Sequence, residues 1–317
     1  MMLGFQGSTQ LIPEDHGARV RCSQEHGSDH RGGIPVRDVI VVGGGPTGLS
    51  ASIQLVRSGF DTLLFEKDRL GGLLNSANLV ENYPGFSGGI PGPKLSGKII
   101  DHALEIGVSV VREEVLDISG KGDGFLVRTG ENTYGAGSVV LAAGTVPKIP
   151  PIPGLRENLH TVDFDMRNFG EVMDGIHTAV IGGGDAAFDY ALNISGRRGR
   201  CTIVSRSEPR ALGLLRERAQ ASEDIELIKG FEIERIAKPE SGFDLIFKGG
   251  TPVSADRLLV AVGRDPSDDL LIDPCPEGMF PVGDLVNGIH RQASISAGDG
   301  IRCAMMVKDY LEGSYGH

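Results

Sequence analysis

The 317-residue sequence has no tryptophan, and aromatic residues make up 5% of it. That scarcity removes the stacking platforms on which single-stranded nucleic-acid binders rely. No apolar run approaches the roughly 18 residues that a membrane-spanning helix needs. Positive charge is in deficit, with 31 Lys and Arg against 42 Asp and Glu and a net charge of −11. Phosphate backbones need a basic surface, so neither nucleic acid nor a membrane is expected as a partner. Cysteine is sparse: Cys22, Cys201, Cys275 and Cys303 are the full set, and no two stand as Cys-x-x-Cys. A disulfide scaffold and a four-cysteine zinc site are thereby excluded, and no metal is expected. Glycine, in contrast, is abundant. Its 47 copies are about twice the usual share of roughly 7%, which predicts many tight turns where backbone approaches a phosphate.

Residues 1–37 are polar and lack sustained periodicity, and are expected to form a flexible N-terminal extension. His16, His26 and His30 within them suggest a metal tract only weakly. No uninterrupted apolar signal region is present, so a cytoplasmic protein is expected. The run Asp38–Val42 is short and β-branched and predicts a buried parallel strand. A glycine-rich turn follows, then a helix from about Thr47 to Ser58 closed by Gly59, then a strand over Asp61–Glu66. This βαβ unit has a second copy. An offset of 139 carries Gly43 onto Gly182 and Glu66 onto Ser205 without a gap. Two such units predict an α/β chain with two Rossmann-like dinucleotide-binding domains. The first is expected to be discontinuous, over residues 38–149 plus 263–317. The second is expected over residues 150–262. Pro147, Pro150, Pro151 and Pro153 read as an interdomain linker.

In the first unit Gly43-x-Gly45-x-x-Gly48 lies between strand and helix. Gly43 permits the turn, Gly45 admits a pyrophosphate, and Gly48 lets helix and strand pack closely. Pro46 suits the first helical position, and with Thr47 it places the helix N-terminus toward the phosphates. Glu66, 23 residues after Gly43, suits the ribose hydroxyls. In the second unit Gly182-x-Gly184-x-x-Ala187 repeats the pattern, with Asp185 and Ala186 opening the helix. Ser205 stands where an acid would repel a 2′-phosphate, and Arg206 and Arg210 follow. Hydroxyl plus guanidinium groups predict NADPH rather than NADH. The cluster Arg197-Arg198-Gly-Arg200 reads as a solvated turn.

These motifs resemble the low-molecular-weight thioredoxin reductases and their ferredoxin–NADP reductase relatives, over residues 38 to 312. Leu70-Gly71-Gly72 and Glu81-Asn82-Tyr83-Pro84-Gly85 are similar to that family's flavin loops. Leu141-Ala-Ala-Gly144 resembles its domain-crossing turn, Phe280-Pro-Val-Gly283-Asp284 its ribityl-binding motif, and Arg291-Gln292-Ala293 the start of its last helix. The resemblance implies FAD held by Gly72, Asn82, Gly144, Gly283, Asp284, Gln292 and Ala293, with Val115 offering backbone to the adenine. A homodimer is implied too. The family's redox Cys-x-x-Cys would fall on Asp165-Met-Arg-Asn168, where neither end is cysteine. Leu73 replaces a frequent Gln, and residues 268–277 are short for the family.

The resemblance and the missing dithiol together imply an FAD-dependent NADPH oxidoreductase. Its acceptor would be a small redox protein, ferredoxin or flavodoxin, or a small molecule. With no dithiol to alternate with nicotinamide, a large domain rotation is not required. Two other readings stand beside this one. One is a flavin-dependent thiol oxidase or small-disulfide reductase, for which Cys275 is the one candidate thiol. The other is a non-catalytic FAD-binding redox sensor.

Overall fold

The structure is a computed structural model in which residues 34–313 are described, apart from residue 123. The expected extension over residues 1–37, including its three histidines and Cys22, lies almost wholly outside the described residues.

The first strand, β1 (Val36–Val42), is buried along its last four residues. Both its edges are paired, in parallel with β2 (Thr62–Phe65) and β6 (Thr133–Leu141), and both its faces are covered, Val39 and Val41 lying in one apolar cluster and Ile40 and Val42 in another. That explains its unbroken β-branched run. Between β1 and β2 runs α1 (Pro46–Arg57), with Pro46 at its first turn. Gly59, at φ +89°, follows the last turn, as a residue free to enter the left-handed region allows. After α2 (Gly92–Glu105) the strand β3 (Ser109–Val111) adds beyond β2. The strands β4 (Val115–Lys121) and β5 (Gly124–Thr129) form an antiparallel extension on β6. One edge of β6 thus borders β1. Its other edge borders β5 first, and then β16 (Met279–Pro281) in parallel.

The chain leaves this sheet through β7 (Thr145–Pro147). A second parallel sheet follows, in the order β10 (Ile225–Lys229), β9 (Arg200–Ser205), β8 (His177–Ile181), β14 (Arg257–Val260). It carries α3 (Asp185–Gly196) and α4 (Gly213–Gln220). Antiparallel strands β11 (Ile233–Ala237), β12 (Phe243–Phe247) and β13 (Val253–Ala255) form a separate three-stranded sheet. The return passes through β15 (Arg264–Pro266). The linker expectation changes at Pro147 alone, while Pro150, Pro151 and Pro153 lie outside strands and helices. Pro147 lies in β7, which pairs antiparallel with β15 from Thr145↔Pro266 to Pro147↔Arg264. The crossing is a two-stranded ribbon, in which Pro147 is tolerated because edge strands can spare a donor. The Arg197 turn also differs from its solvated reading: Arg197 donates to Asn193 Oδ1 and to the carbonyls of Phe169 and Gly170.

The last helix, α5 (Ala293–Leu311), packs on α1. The approach is so close that a Cβ on Gly300 would stand 2.2 Å from the Thr47 carbonyl oxygen. The small residues Ser296, Ala297 and Ala304 occupy neighbouring buried positions on α5. No described helix is long and apolar enough to cross a membrane. Gly300→Ala should force the helices apart at Thr47 and cost about 1–3 kcal/mol, read as a lowered midpoint in urea unfolding. An unchanged midpoint would refute backbone contact between α1 and α5.

Candidate functional site

The two glycine loops have the same construction. Gly43 has φ +105°, and a Cβ there would meet the Ala142 carbonyl oxygen at 2.2 Å; a Cβ on Gly48 would meet the Gly43 oxygen at 1.8 Å. In the second loop a Cβ on Gly182 would meet the Ala261 oxygen at 2.4 Å and Ala187 Cβ at 3.1 Å. Packing therefore requires these glycines. Gly45 and Gly184 are different. Both are extended N-cap residues with negative φ, −74° and −98°, and neither helix has a side-chain cap bond. A Cβ at either would touch nothing within 4 Å. Neither strain nor crowding explains glycine there, and both face open space in front of uncapped helical N–H groups. That space is a cradle for an anion approached by backbone alone.

Beneath the first loop, Glu66 accepts the Gly44 N–H at 2.8 Å on one oxygen and the Asp68 N–H at 2.8 Å on the other. Each oxygen keeps a lone pair for a ribose hydroxyl. The loop is closed by Gly71, whose N–H donates to the Gly44 carbonyl at 2.7 Å. A Cβ on Gly72 (φ +53°) would come within 3.3 Å of Gly45 Cα. Val115 opens β4, opposite Thr129. It follows the segment from which Glu114 pairs with Lys67 just beyond Glu66. Pro46 and Thr47 form the first turn of α1, and Thr47 also abuts Gly283, where a Cβ would meet its hydroxyl. Gly144 (φ +68°) has open space where a Cβ would be.

Asp284 sits in a short 3-10 turn over Gly283–Leu285 and accepts the Ser296 hydroxyl at 3.0 Å. Burial holds its carboxyl above the usual range, opposed by that hydrogen bond and by Arg291. A partly desolvated acceptor of this kind fits hydroxyls of a bound polyol. Asn82 and Gln292, 210 positions apart, meet amide to amide at 2.9 Å. Ser294 Oγ donates to the Asn82 carbonyl at 3.2 Å. The loop carrying Asn82 is thus tied to the first turn of α5, which begins at Ala293.

In the second unit two side chains differ from their sequence-based roles. Ser205 is buried, and its hydroxyl donates to the Ser207 carbonyl at 2.8 Å. It lies under Gly183, where a Cβ would meet its oxygen at 2.4 Å, so it shapes the loop instead of reaching outward. Asp185 accepts the Leu212 N–H at 2.8 Å, satisfying an orphan donor at the start of α4. Ala186 is exposed beside it on the first turn of α3. Arg206 and Arg210 are exposed, and neither guanidinium has an ion-pair partner among the described residues. The backbone N–H of Arg210 donates to the Gly183 carbonyl at 2.7 Å, which fixes that arginine beside the loop. Arg206→Ala should weaken NADP⁺ binding about tenfold or more and leave NAD⁺ binding unchanged, measured by titration calorimetry. An equal effect on both would remove the 2′-phosphate assignment.

Sequence reasoning missed the seam between the two units. Ser76 accepts the Met166 N–H at 3.3 Å, and Arg167 pairs with Asp68 at 2.6 Å and with Asp165. Arg218 grips Glu81 with two bonds of 2.6 and 2.9 Å. Asp189, on α3, accepts the N–H groups of Asn78 at 2.8 Å and of Leu79. Burial pushes its carboxyl up to about 6, with Asp185 and Glu81 adding repulsion against the two N–H bonds. A raised folded value means a contribution fully present below the unfolded value of about 3.8 and lost as pH rises through about 6. Relative to Asp189→Asn, the wild type should therefore lose up to about 3 kcal/mol across that window, measured as the difference in unfolding free energy. A pH-independent difference would refute the burial of that charge.

The positions expected for a dithiol hold none. Asp165 is buried and accepts three nitrogens of Arg167, and Asn168 donates to Asp163 at 3.0 Å. The described thiols are also unsuited to ionisation. Burial pushes Cys201 and Cys303 up to about 12 and raises Cys275, whose exposed loop position otherwise favoured it. Among the described residues no group of three or more His, Cys, Asp or Glu is placed to hold a metal ion.

Comparison with known proteins agrees with this architecture. The family described as pyridine nucleotide-disulphide oxidoreductase matches residues 37–282. The chain is 30% identical over 305 residues to the thioredoxin reductase of Mycolicibacterium smegmatis, covering 87% of this chain and 97% of that one. It is 32% identical over 302 residues to the bifunctional thioredoxin reductase/thioredoxin of Mycobacterium leprae, with 87% of this chain and 66% of that longer one covered. Lactococcus lactis thioredoxin reductase, solved in its FR conformation, superposes with a TM-score of 0.78 at 27% identity, covering 87% and 99% of the two chains. The chain belongs to the pyridine nucleotide-disulphide oxidoreductase family, among its thioredoxin reductase-like, FAD- and NADPH-using oxidoreductases.

Proposed function

We propose that this protein is an FAD-dependent NADPH oxidoreductase that serves its acceptor without a protein dithiol. The observation that carries the reading is the pair Gly45 and Gly184, two glycines that the fold itself does not need, each opening on an uncapped helix. Two dinucleotides in one chain are the ligands that such paired cradles fit. Glu66 marks the first cradle for an unphosphorylated ribose, and Arg206 and Arg210, without ion-pair partners among the described residues, mark the second for a 2′-phosphate. Bound FAD supplies hydride acceptance and onward electron delivery. The chain's own part is electrostatic and positional. The N–H groups that open α5 at Ala293 face the flavin site with the positive end of a 19-residue helix, favouring negative charge there. The Asn82–Gln292 contact holds the neighbouring loop in place.

The absence of a relay rests on residues 165–168, which hold Asp, Met, Arg and Asn. None of these carries electrons. The acceptor is therefore a small redox protein, such as a ferredoxin or flavodoxin, or a small molecule that meets the reduced flavin directly. Anaerobic addition of NADPH to the FAD-loaded protein should bleach the visible flavin band, and NADH should do so far more slowly. Thioredoxin disulfide should remain unreduced in the same mixture. A flavin that neither nucleotide bleaches would overturn the function, and rapid reduction of thioredoxin would overturn the dithiol-free route.

A further inference from the structure

The segment from Ser76 to Asn82 belongs to the first unit, yet the second unit grips it repeatedly. The Met166 N–H donates to Ser76 Oγ at 3.3 Å, and Asn193 Nδ2 donates to the Ser76 carbonyl at 3.5 Å. Asp189 accepts the Asn78 N–H at 2.8 Å. At the far end Arg218 closes on Glu81, its Nη1 and Nη2 lying 2.6 and 2.9 Å from the two carboxylate oxygens. The next residue has partners in the first unit. Asn82 Nδ2 donates to Gln292 Oε1 at 2.9 Å, and the Asn82 carbonyl accepts the Ser294 hydroxyl at 3.2 Å. Glu81 and Asn82, adjacent in the chain, thus join α4 of the second unit to the start of α5.

The other end of α4 is tied to the second glycine loop. The Gly183 carbonyl accepts the N–H groups of Arg210 at 2.7 Å and Ala211 at 3.1 Å. Asp185, the first residue of α3, accepts the Leu212 N–H at 2.8 Å. α4 begins at the next residue, Gly213, and Arg218 lies on its second turn. Whatever fixes the glycine loop therefore fixes the direction from which Arg218 reaches Glu81. Stability does not account for the pair, because its side chains are 38% and 36% exposed and exposed pairs contribute little. Its two parallel bonds instead fix an orientation.

We propose that the Glu81–Arg218 pair couples the two nucleotide sites, so that a dinucleotide on the second glycine loop steadies the Asn82 loop and slows release of FAD from the first. The inference rests on the function proposed above, which puts FAD beside Ala293 and a 2′-phosphorylated dinucleotide at Gly184. A dinucleotide held there orders the crossing of Gly183 with Arg210 and Asp185 with Leu212. α4 carries that order to Arg218, and Arg218 takes freedom from Glu81. Asn82 then parts from Gln292 less often. The coupling runs through lost freedom and needs no new contact. It is also reciprocal, so FAD tightens the second site by the same factor. Arg218 is a positioning residue, acting on the flavin site through Glu81.

FAD release from the oxidised holoprotein is followed by the rise of free-flavin fluorescence after dilution, with and without saturating 2′-phospho-ADP-ribose. That fragment lacks nicotinamide, so it has no ring to stack on the flavin. The wild type should release FAD about two- to fivefold more slowly when the fragment is bound. Arg218→Gln and Glu81→Gln should each release FAD at one rate with or without it. The double variant should match either single one, as two halves of one interaction do. Calorimetry on the holoprotein should show Arg218→Gln binding the fragment more weakly by no more than the factor seen in the wild type. A wild type indifferent to the fragment overturns the proposal, as does slowing that survives in Arg218→Gln. Effects that add in the double variant overturn it too, because the residues would then act separately. A loss of fragment affinity of about tenfold or more also overturns it, since Arg218 would then shape the second cradle itself. Wild-type bleaching by NADPH is read in the same series. Its failure refutes the parent function, whereas bleaching without coupled release refutes only the role of the pair.

Discussion

Three stretches of backbone meet at Gly43 with no side chain between them. The end of β6 presses its Ala142 carbonyl against one side of Gly43, and Gly48 of α1 meets the Gly43 carbonyl itself. Everything that makes the first site follows from this contact. It anchors the start of α1 at the carboxyl end of β1, where the neighbouring strands β2 and β6 lie on opposite sides and the sheet order turns. It leaves the uncapped N–H groups pointing into open space. It also brings Gly44 over Glu66 and Thr47 against both Gly283 and Gly300. A sheet, two helices and two distant loops are thus registered on one crossing that tolerates no Cβ. The second unit uses the same device at Gly182, with Ala261 in the place of Ala142.

Much of this was legible because it is local or repeated. Asp38–Val42 reads as a buried strand from its β-branched run, and the glycine spacing with Glu66 reads as a nucleotide site. The 139-residue offset, which maps Glu66 onto Ser205, declares a second copy. What was not legible depends on partners far apart in the chain. Asp189 carries no motif of its own; it matters because Asn78 and Leu79 arrive opposite it with free N–H groups. Asp185 looked available to a ligand until α4 presented Leu212 to it. Ser205 could not be read as an inward-facing hydroxyl without knowing how closely Gly183 crosses above it. The prolines near residue 150 signalled irregular chain correctly, but an edge strand can carry proline as readily as a linker can.

The segment 165–168 shows what the fold does with a place that lacks sulfur. Asp165 is buried, so its charge must be neutralised, and Arg167 does this while also reaching Asp68 of the other unit. An ionic bridge from this segment thereby joins the units. With the Glu81–Arg218 pair and the Asp189 bonds, it holds the seam along its length. Exposed pairs of this kind contribute little stability individually, but each one fixes direction. Together they run along the seam between the two nucleotide loops.

The ribbon of β7 and β15 has a consequence for how such a chain is assembled. The strand leaving the first sheet and the strand returning to it run side by side, with Thr145 opposite Pro266. Everything from residue 148 to residue 263 leaves and re-enters the first unit through two adjacent backbone points. The first sheet, completed by β16 and α5 after the return, has its strand order set independently of what lies between. In topological terms the second unit is cargo on a two-residue-wide stalk.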